Sequence, residues 1–371
     1  MPTATATATA TATPTLVPTA TVTPTATPTP VLLGFDLLGV PASYNPKKSH
    51  WTINDLQFWR DRLYVAHGDL YNNTGPVRAI YFDLASERFV HDDNFAFDDE
   101  AIDKFRVMDD TLFAAGADAK ESWDFGNMYS KPWGGKWSKL RTIPRGVHVW
   151  DVGLFGQSLI ATTASDLQPS GAMHAWLSTD NGKSLKESLV LPGQLRGSFF
   201  ILGERLFVTT GRAGCFVLDG NTFVKANCLP TRYEDVYKNV IFNDIAVMVP
   251  YTYGVIANMS NQYNSPRLYF FDGQSPWLVQ FDWPVRDVVS TKDGLYVLLG
   301  RTPGDGFVMR ARALTCRCAQ DFAPVFRFDF QEGQDPTHPN GHTVLSLEYV
   351  DNRFYIGLAD GRLFRSKPYK P

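Results

Sequence analysis

Four features are scarce or missing in this sequence of 371 residues. The formal net charge is only −3, so the composition does not indicate a basic surface of the kind that binds nucleic acid. No run of about eighteen apolar residues occurs, so the chain as given is not expected to span a membrane. A Gly-x-x-x-x-Gly-Lys-Ser/Thr phosphate loop and a Gly-x-Ser-x-Gly elbow are also missing, which removes the usual markers of nucleotide hydrolysis and serine esterase chemistry.

The first thirty residues differ in composition from the rest. The segment "MPTATATATATATPTLVPTATVTPTATPTP" consists largely of Thr, Ala and Pro and has too little apolar content for a core. We interpret residues 1–30 as a disordered, extended stalk or linker. It has neither the basic region nor the apolar core of a secretion signal, so we expect any export signal or membrane anchor to lie upstream of the stalk.

One pattern recurs along residues 31–371, which we predict to form a single domain. Copies include "LQFWRDRLYVAHGD" from Leu56, "FRVMDDTLFAAGAD" from Phe105 and "FFILGERLFVTTGR" from Phe199. Each has an apolar alternating run, a short turn rich in Asp, Gly or Asn, and a second apolar run, which is the signal of a β-hairpin. The first strands begin near seven positions, 42 to 58 residues apart, which are Ile53, Ile102, His148, Arg196, Lys238, Val285 and Thr343.

These spacings are typical of four-stranded propeller blades, so the sequence predicts an all-β, seven-bladed β-propeller. The alternatives to seven blades are a ring of six or eight blades and a pair of β-sandwiches. The seventh unit is short, and "VLLGFDLLGV" from Val31 to Val40 precedes the first unit. We predict that this segment supplies the missing outer strand and closes the ring, the alternative being an apolar linker remnant.

The string "WLSTDNGKSL" falls between the third and fourth strands of the third unit. Its Ser178, Asp180, Gly182 and Ser184 resemble the Asp-box of sialidases, sortilins and related β-propellers, with Leu185 where an aromatic residue is usual. Physically it is a turn-stabilising device, because Asp180 can accept backbone hydrogen bonds and Gly182 tolerates a positive φ. The resemblance implies membership of a broad class that contains enzymes, receptors and assembly factors.

Ligands of propellers usually bind at the top face, where first strands begin and second strands end. All seven histidines of the chain fall on this face in the predicted register, His67 and His91 among them. Histidines can ligate metal, move protons or stack on sugars and peptides. The candidate binding residues of the top face are His50, Trp51, Arg145, His148, His174, Arg196, Tyr233, Tyr237, Arg286, His338 and His342. The insertion 251–265 is long enough to form one wall of a pocket.

Four acids, Asp55, Asp103, Asp151 and Asp287, occupy equivalent positions on the innermost strands. Adjacent carboxylates around a narrow channel could bind a cation or serve as general acids. The alternative is structural, since an acid at the start of an inner strand can cap backbone amides of the neighbouring blade.

The four cysteines form two close pairs. Cys215 and Cys228 flank the turn "DGNT" on antiparallel strands, so we predict a disulfide there. Cys316 and Cys318 would point the same way on a strand, where a bridge between them would be strained, and two thiolates alone do not make a zinc site.

These features favour a secreted or surface-tethered propeller that recognises a glycan or a protein partner through its top face, without catalysis. The alternative is a polysaccharide-active enzyme, either a glycoside hydrolase or a lyase. No cofactor is expected, apart from a divalent cation in the lyase case. No nucleic acid partner is expected.

Overall fold

The computed structural model describes residues 31–70, 72–165, 171–194, 196–211, 213–231, 234–251, 265–301, 304–330, 337–338 and 343–370. The predicted stalk, residues 1–30, and almost all of the insertion 251–265 lie outside the described residues. Within the described ranges the chain forms 29 β-strands and two short 3₁₀ helices, Lys48–Trp51 and Ala319–Asp321. None of the described helices has the length and apolar character needed to cross a membrane.

The strands group into the seven repeat units of the sequence, called units one to seven below. Unit one contains β3 (Ile53–Trp59), β4 (Arg62–His67), β5 (Val77–Asp83) and β6 (Arg88–Phe97). Unit two contains β7 (Asp99–Met108), β8 (Thr111–Ala119), β9 (Phe125–Pro132) and β10 (Ser138–Pro144). Unit three contains β11 (His148–Phe155), β12 (Ser158–Ser165), β13 (Ala172–Ser178) and β14 (Lys186–Pro192).

Unit four contains β15 (Ser198–Leu202), β16 (Arg205–Thr210), β17 (Gly214–Asp219) and β18 (Thr222–Ala226). Unit five contains β19 (Asp235–Phe242), β20 (Ile245–Tyr251), β21 (Arg267–Phe271) and β22 (Pro276–Gln280). Unit six contains β23 (Val285–Thr291), β24 (Gly294–Arg301), β25 (Asp305–Ala311) and β26 (Ala323–Asp329). Unit seven contains β27 (Val344–Val350), β28 (Arg353–Leu358) and β29 (Leu363–Ser366), and β1 (Val31–Leu32) and β2 (Phe35–Gly39) precede the first unit.

The strands form an all-β propeller of four-stranded antiparallel blades. Hydrogen bonding divides the described strands into six sheets, five of which correspond to one unit each. The sixth sheet holds eight strands, because β8 and β11 pair at Ala117 and His148 and so join units two and three. Only five units therefore form separate blades, so the prediction of seven separate blades is not met by the hydrogen-bonding pattern.

The core lies between neighbouring units. Each cluster of buried apolar side chains combines residues of two consecutive units, and one cluster joins unit seven to unit one through Tyr355 and Ile53. The first strands also contact one another in cyclic order, from β3 through β7, β11, β15, β19, β23 and β27 back to β3. This closed arrangement leaves few sheet edges exposed.

The prediction that the N-terminal segment closes the ring is confirmed. Strand β2 pairs antiparallel with β29 and becomes the outer strand of the last sheet. Strand β1 pairs in parallel with β26 and adds a fifth strand to the sheet of unit six. The ring of Phe35 lies 5.6 Å from the ring of Phe326 and 5.1 Å from that of Phe330, so the segment is anchored by aromatic packing as well as by backbone hydrogen bonds.

Replacing Phe35 with alanine is expected to destabilise the ring by roughly 2 to 3 kcal/mol, because a large aromatic contact at the closing strand is lost. Urea-induced unfolding measures this change in the free energy of unfolding. Leu37→Ala on the same strand is the matched control, since Leu37 is 55% exposed. The control should differ from the wild type by less than about 0.5 kcal/mol. Equal losses in the two variants would contradict the assigned role of Phe35.

Candidate functional site

A recurrent β-bulge shapes the inner wall of the ring. The pairing register between the first and second strands shifts near the start of the first strand in units one, two, three, five, six and seven. A bulge re-aims the side chains next to it. In unit one the shift lies between Ile53 and Asp55, in unit three between Val149 and Asp151, and in unit six between Val285 and Asp287. Three of the four predicted channel acids therefore follow directly after a bulge.

Each of these three acids accepts a backbone hydrogen bond from the next unit. The bonds are Phe105 N to Asp55 Oδ2 (3.2 Å), Phe199 N to Asp151 Oδ2 (3.2 Å) and Leu347 N to Asp287 Oδ2 (2.7 Å). Glu348 continues the pattern and accepts a bond of 3.0 Å from Phe58 N of unit one. This geometry agrees with a structural role for the acids, in which they cap backbone amides of the neighbouring blade.

The fourth channel acid, Asp103, has a different partner, since it is paired with the guanidinium of Arg196 in unit four. Tyr237 donates a hydrogen bond of 2.7 Å across the channel to the carbonyl oxygen of Asn54. These two contacts link unit two to unit four and unit five to unit one.

Cations from distant units compensate the remaining buried charge. Lys238 Nζ lies 2.8 Å from Asp55 Oδ1 and 3.0 Å from Asp287, so one lysine of unit five joins units one and six. Burial alone would lower the pKa of Lys238, but the two carboxylates outweigh it and raise that pKa above its ordinary value. The lysine therefore stays charged inside the ring.

Asp151 is held in the same way from the other side of the channel. Lys104 Nζ lies 3.0 Å and Arg106 Nη2 2.7 Å from its Oδ2. Burial would raise the pKa of Asp151, but Arg106 and Lys104 outweigh it and hold that pKa well below its usual range. The sequence analysis did not identify Lys104, Arg106 or Lys238. The signal that could have revealed them is a charged residue within an otherwise apolar inner strand, as in "AIDKFRVM" and "DVYKNVIF".

Lys238→Met is expected to lower the free energy of unfolding by about 3 to 5 kcal/mol, because it leaves two buried carboxylates without their shared cation. Chemical denaturation measures the loss. Lys292→Met is the control, since Lys292 is exposed, and it should change stability by less than about 0.5 kcal/mol. Adding Asp55→Asn and Asp287→Asn to Lys238→Met should restore part of the stability. A further loss in this triple variant would contradict the role of Lys238 in compensating the two buried carboxylates.

Next to the channel, four side chains form a stacked row on the top face, which we call the axial stack: His148, Trp150, Arg196 and Tyr237. The rings of His148 and Trp150 stack with centroids 4.9 Å apart. The Arg196 guanidinium lies 4.3 Å from the Trp150 ring and 5.0 Å from the Tyr237 ring. Asp118 contacts His148, with 3.0 Å between Oδ1 and Nδ1. The structure thus brings three predicted candidates together around Trp150, a residue that the sequence analysis did not identify.

A pocket of about 440 Å³ lies beside unit one, at the end of the ring where β5 begins and β6 ends. We call it the unit-one pocket. Its lining residues are Tyr44, Asn45, Pro46, Pro76, Arg78, His91, Asn94 and Ala96. The Arg78 guanidinium lies 4.7 Å from the centre of the Tyr44 ring, and the backbone N–H of Arg78 donates to the Tyr44 hydroxyl at 2.9 Å. Tyr44 is therefore fixed from both sides.

Two buried histidines support Tyr44 from below. Tyr44 Oη lies 2.9 Å from His50 Nε2, and His50 Nδ1 lies 3.1 Å from the Thr74 hydroxyl. The rings of His50 and His67 meet edge to face at 5.0 Å. Burial lowers the pKa of His50 to about 3 and that of His67 to about 4, and burial raises the pKa of Tyr44 to about 12. All three side chains are therefore neutral near pH 7.

The depressed histidine pKa values predict a loss of stability in acid. An unfolded histidine gains its proton near pH 6.5, whereas folded His67 gains it only near pH 4. The contribution of neutral His67 to the free energy of unfolding is therefore complete above pH 6.5. It falls by about 1.4 kcal/mol per pH unit as the pH drops towards 4.

We expect the stability difference between wild type and His67→Gln to narrow between pH 7.5 and pH 5 when both are unfolded with urea. The comparison with the variant isolates His67. This is needed because burial raises the pKa of Asp99 and of Glu348 to about 7, which has the opposite effect on stability over this range. A difference that stays constant with pH would show that His67 does not carry the effect.

The aromatic side chains Trp123 and Phe125 are unusually exposed, at 48% and 42%, where the connection from β8 leads into the first residue of β9 in unit two. Arg141 holds this segment through hydrogen bonds of 2.9 Å to the Phe125 carbonyl and 2.7 Å to the Ser122 carbonyl. We call residues 120–125 the aromatic loop. Its first residue is tied to the end of unit one, because Lys120 N donates at 2.8 Å to the carbonyl of Asp98, two residues after the pocket residue Ala96.

The other top-face candidates are dispersed. His174 lies inside β13, where its Nδ1 contacts Glu187 Oε2 at 2.7 Å. Arg145 is exposed beside the aromatic loop and its backbone N–H donates to the Asp124 carbonyl at 2.7 Å. Arg286 is buried and donates to the Gly300 carbonyl at 3.0 Å, and burial lowers its pKa to about 10.

The remaining candidates lie near the junction of units seven and one. The Trp51 indole donates to the Asn45 carbonyl at 2.8 Å, and its ring lies 6.0 Å from that of His338. The expectation that every histidine lies at a strand end or loop of the top face is wrong for His174, which lies within β13 opposite Thr163, and for His91. His91 lies within β6, opposite Ile80, because β6 continues past the point where the sequence pattern suggested a loop. Tyr233 and His342 lie outside the described residues.

The turn that carries Ser178, Asp180, Gly182 and Ser184 lies between β13 and β14, as the register predicted. The Asp180 carboxylate accepts hydrogen bonds from Ser184 N at 2.9 Å and from the Ser184 hydroxyl at 2.6 Å. Gly182 has a φ of +82° and donates its N–H to Ser178 Oγ at 2.8 Å. The hydrogen bonds from Ser184 and Ser178 hold the pKa of Asp180 at about 2. Each motif residue therefore contributes to the turn itself.

Both cysteine pairs form disulfides. The Cys215–Cys228 bridge is confirmed, with 5.7 Å between the Cα atoms. The expectation that Cys316 and Cys318 share one side of a strand is wrong, because they lie in the loop between β25 and β26. Arg317 has a φ of +56°, which turns the chain so that the two side chains meet in a disulfide, with 5.2 Å between Cα atoms.

Comparison with known proteins supports the fold. No protein-family model matches the sequence, and no curated protein matches it either. The Pan2 WD40 domain of Neurospora crassa is 13% identical with a TM-score of 0.60, the match covering 92% of this chain and 99% of that chain. Virginiamycin B lyase from Staphylococcus aureus is 8% identical with a TM-score of 0.59, covering 90% and 99%.

A xyloglucanase from Xanthomonas campestris is 13% identical with a TM-score of 0.58, and the match covers 89% of this chain and 53% of that one. At such low identities the similarity shows the fold alone, which is that of a β-propeller. The three proteins have different functions, so the site of this chain has to be argued from its own residues.

Proposed function

We propose that this protein is a recognition module that binds a glycan at its top face, through the unit-one pocket and the aromatic loop, without catalysing a reaction. The observation that carries the proposal is the pocket built from Tyr44, Arg78 and His91. The channel acids and the axial stack, by contrast, consist largely of side chains that are already paired with one another.

The size and lining of the unit-one pocket suit a small polar ligand with apolar faces. A volume of about 440 Å³ falls within the usual range for small-molecule sites. Arg78, Asn45 and Asn94 offer hydrogen-bonding groups that a sugar hydroxyl can use, and Tyr44 and His91 offer ring surface. Tyr44 is held by Arg78 and His50, so little conformational entropy is lost when a ligand binds.

The aromatic loop extends this surface. Trp123 is exposed although burial would be favourable for so large an apolar ring. A ring held on a segment fixed by Arg141 is suited to stacking against the C–H face of a sugar. The pocket and the loop together support a binding surface for more than one sugar residue. A protein partner is the alternative ligand, and the experiment below distinguishes the two.

A polysaccharide-active enzyme is less well supported. A glycosidase needs two carboxyl groups that face the bond being cut. Asp55, Asp151 and Asp287 are instead bonded to backbone N–H groups of neighbouring units, and Asp103 is paired with Arg196. The described channel acids therefore have structural partners.

We also propose that the ring is seven-bladed, counting the eight-stranded sheet as two blades, and that the Asp-box turn relates the chain to other Asp-box propellers. The Thr- and Pro-rich residues 1–30 and the two disulfides support a location outside the cytoplasm, secreted or attached to the cell surface.

A glycan array probed with the full chain tests the proposal, followed by calorimetric titration with the best ligand. His91→Ala and Trp123→Ala should each weaken binding about tenfold or more, equivalent to about 1.4 kcal/mol. Both residues are exposed, so these variants should fold normally. Lys225→Ala, exposed on the outer strand of unit four, is the control and should bind like the wild type.

Three further results would count against the proposal. Failure to bind any glycan would favour a protein partner. Unchanged affinity of both His91→Ala and Trp123→Ala would place the ligand elsewhere. Shortened or unsaturated products in the titration mixture would show an enzyme, and metal analysis of protein purified without a metal-binding tag would then show whether a bound cation takes part.

A further inference from the structure

The two disulfides lie in contrasting environments. Cys215 and Cys228 are 1% and 0% exposed and belong to the core cluster between units four and five. They are separated by 13 positions, so their bridge closes a sizeable loop. Cys316 is exposed, and only Arg317 separates it from Cys318. A bridge over so short a separation restricts the unfolded chain much less, so it contributes less to stability.

The loop that carries Cys316 and Cys318 is also held by groups other than the bridge. The Asp321 carboxylate accepts backbone hydrogen bonds from Thr315 (3.0 Å), Cys316 (3.1 Å) and Arg317 (2.9 Å). These bonds hold the backbone on both sides of the first sulfur. The loop can therefore keep its shape when the disulfide opens.

Contacts with unit five anchor the same loop from outside. The Arg317 guanidinium lies 2.7 Å from Asp272 Oδ2 and 4.2 Å from the Trp277 ring. At the end of the loop, the Phe322 ring packs against that of Phe281 at 5.2 Å. With the backbone fixed in this way, two released thiols stay close enough to form the bridge again.

We propose that Cys316–Cys318 is a thiol–disulfide exchange site whose substrates are thiols, and dithiols in particular. An exposed disulfide that the fold does not need is the kind that exchanges, whereas a buried one resists. Metal binding by Cys316, Cys318 and Asp321 in the reduced state is disfavoured, because the Asp321 oxygens already accept hydrogen bonds from the loop.

The exchange is balanced as follows. The thiolate of an external dithiol attacks Cys316 Sγ, the exposed sulfur, and the Cys316–Cys318 bond breaks as a mixed disulfide forms at Cys316. Cys318 leaves as a thiolate and takes a proton from water. The second thiolate of the dithiol then attacks the first dithiol sulfur, which is bonded to Cys316 in the mixed disulfide, and this releases Cys316. The dithiol is oxidised by two electrons to a disulfide, and the protein bridge is reduced to two thiols.

Redox titration of the native full chain with glutathione buffers tests the proposal. Free thiols are alkylated at each point, and peptide mass spectrometry reads each cysteine separately. Labelling of Cys316 and Cys318 should begin at a certain ratio of reduced to oxidised glutathione. That ratio should be about tenfold or more lower than the ratio at which Cys215 and Cys228 become labelled. Equal resistance of the two bridges, or earlier reduction of Cys215–Cys228, would overturn the proposal.

Single variants test the order of attack. Cys318→Ser leaves Cys316 free and should form a mixed disulfide with oxidised glutathione faster than Cys316→Ser, because Cys316 is the exposed sulfur. The double variant Cys316→Ser/Cys318→Ser should unfold at nearly the wild-type temperature and should no longer oxidise a reduced dithiol peptide. A strongly lowered unfolding temperature would show a structural bridge and contradict the proposal. Equal rates for the two single variants would contradict the assigned site of attack.

Discussion

The lysine at the centre of the ring, Lys238, carries the constraint on which the rest of the structure depends. A propeller must join its first and last units without a covalent bond, and its first strands meet around a central channel. Lys238 reaches Asp55 of unit one and Asp287 of unit six from unit five. Because the same two acids accept N–H groups of units two and seven, a single cation connects five units. Removing Lys238 leaves two buried carboxylates without their shared cation.

This use of the channel explains why the candidate binding surface lies away from the axis. The acids that could act on a ligand are occupied by backbone amides, and the cations that could bind an anion are occupied by the acids. Tyr237 adds a hydrogen bond across the channel to Asn54. Polar groups free to meet a ligand are therefore found towards the rim, in the unit-one pocket, where Tyr44 and Arg78 hold each other in place.

Sequence reasoning predicted the features that depend on local pattern. Alternating apolar runs separated by short turns predicted the hairpins, the additional strand before unit one predicted the closing of the ring, and Ser178 and Asp180 predicted a turn between β13 and β14.

Sequence patterns did not predict the features that depend on register. A bulge of one residue turns Trp150 towards Arg196 and leaves Asp151 facing unit four, and no turn signal marks it. Lys104 and Lys238 were missed because strand alternation alone does not show which distant unit a side chain will meet. The loop of Cys316 and Cys318 was misread as a strand, since the positive φ of Arg317 has no signature in residue type.

The closing of the ring and the candidate binding pocket are parts of one segment. Strand β2 pairs with the last strand of the chain, and Tyr44 and Asn45, which follow it after a short turn of four residues, line the pocket. The same segment continues into the 3₁₀ helix that holds His50 under Tyr44 before β3 begins. If the pairing of β2 with β29 were lost, Tyr44 would lose the anchor on its N-terminal side. The pocket therefore depends on a closed ring.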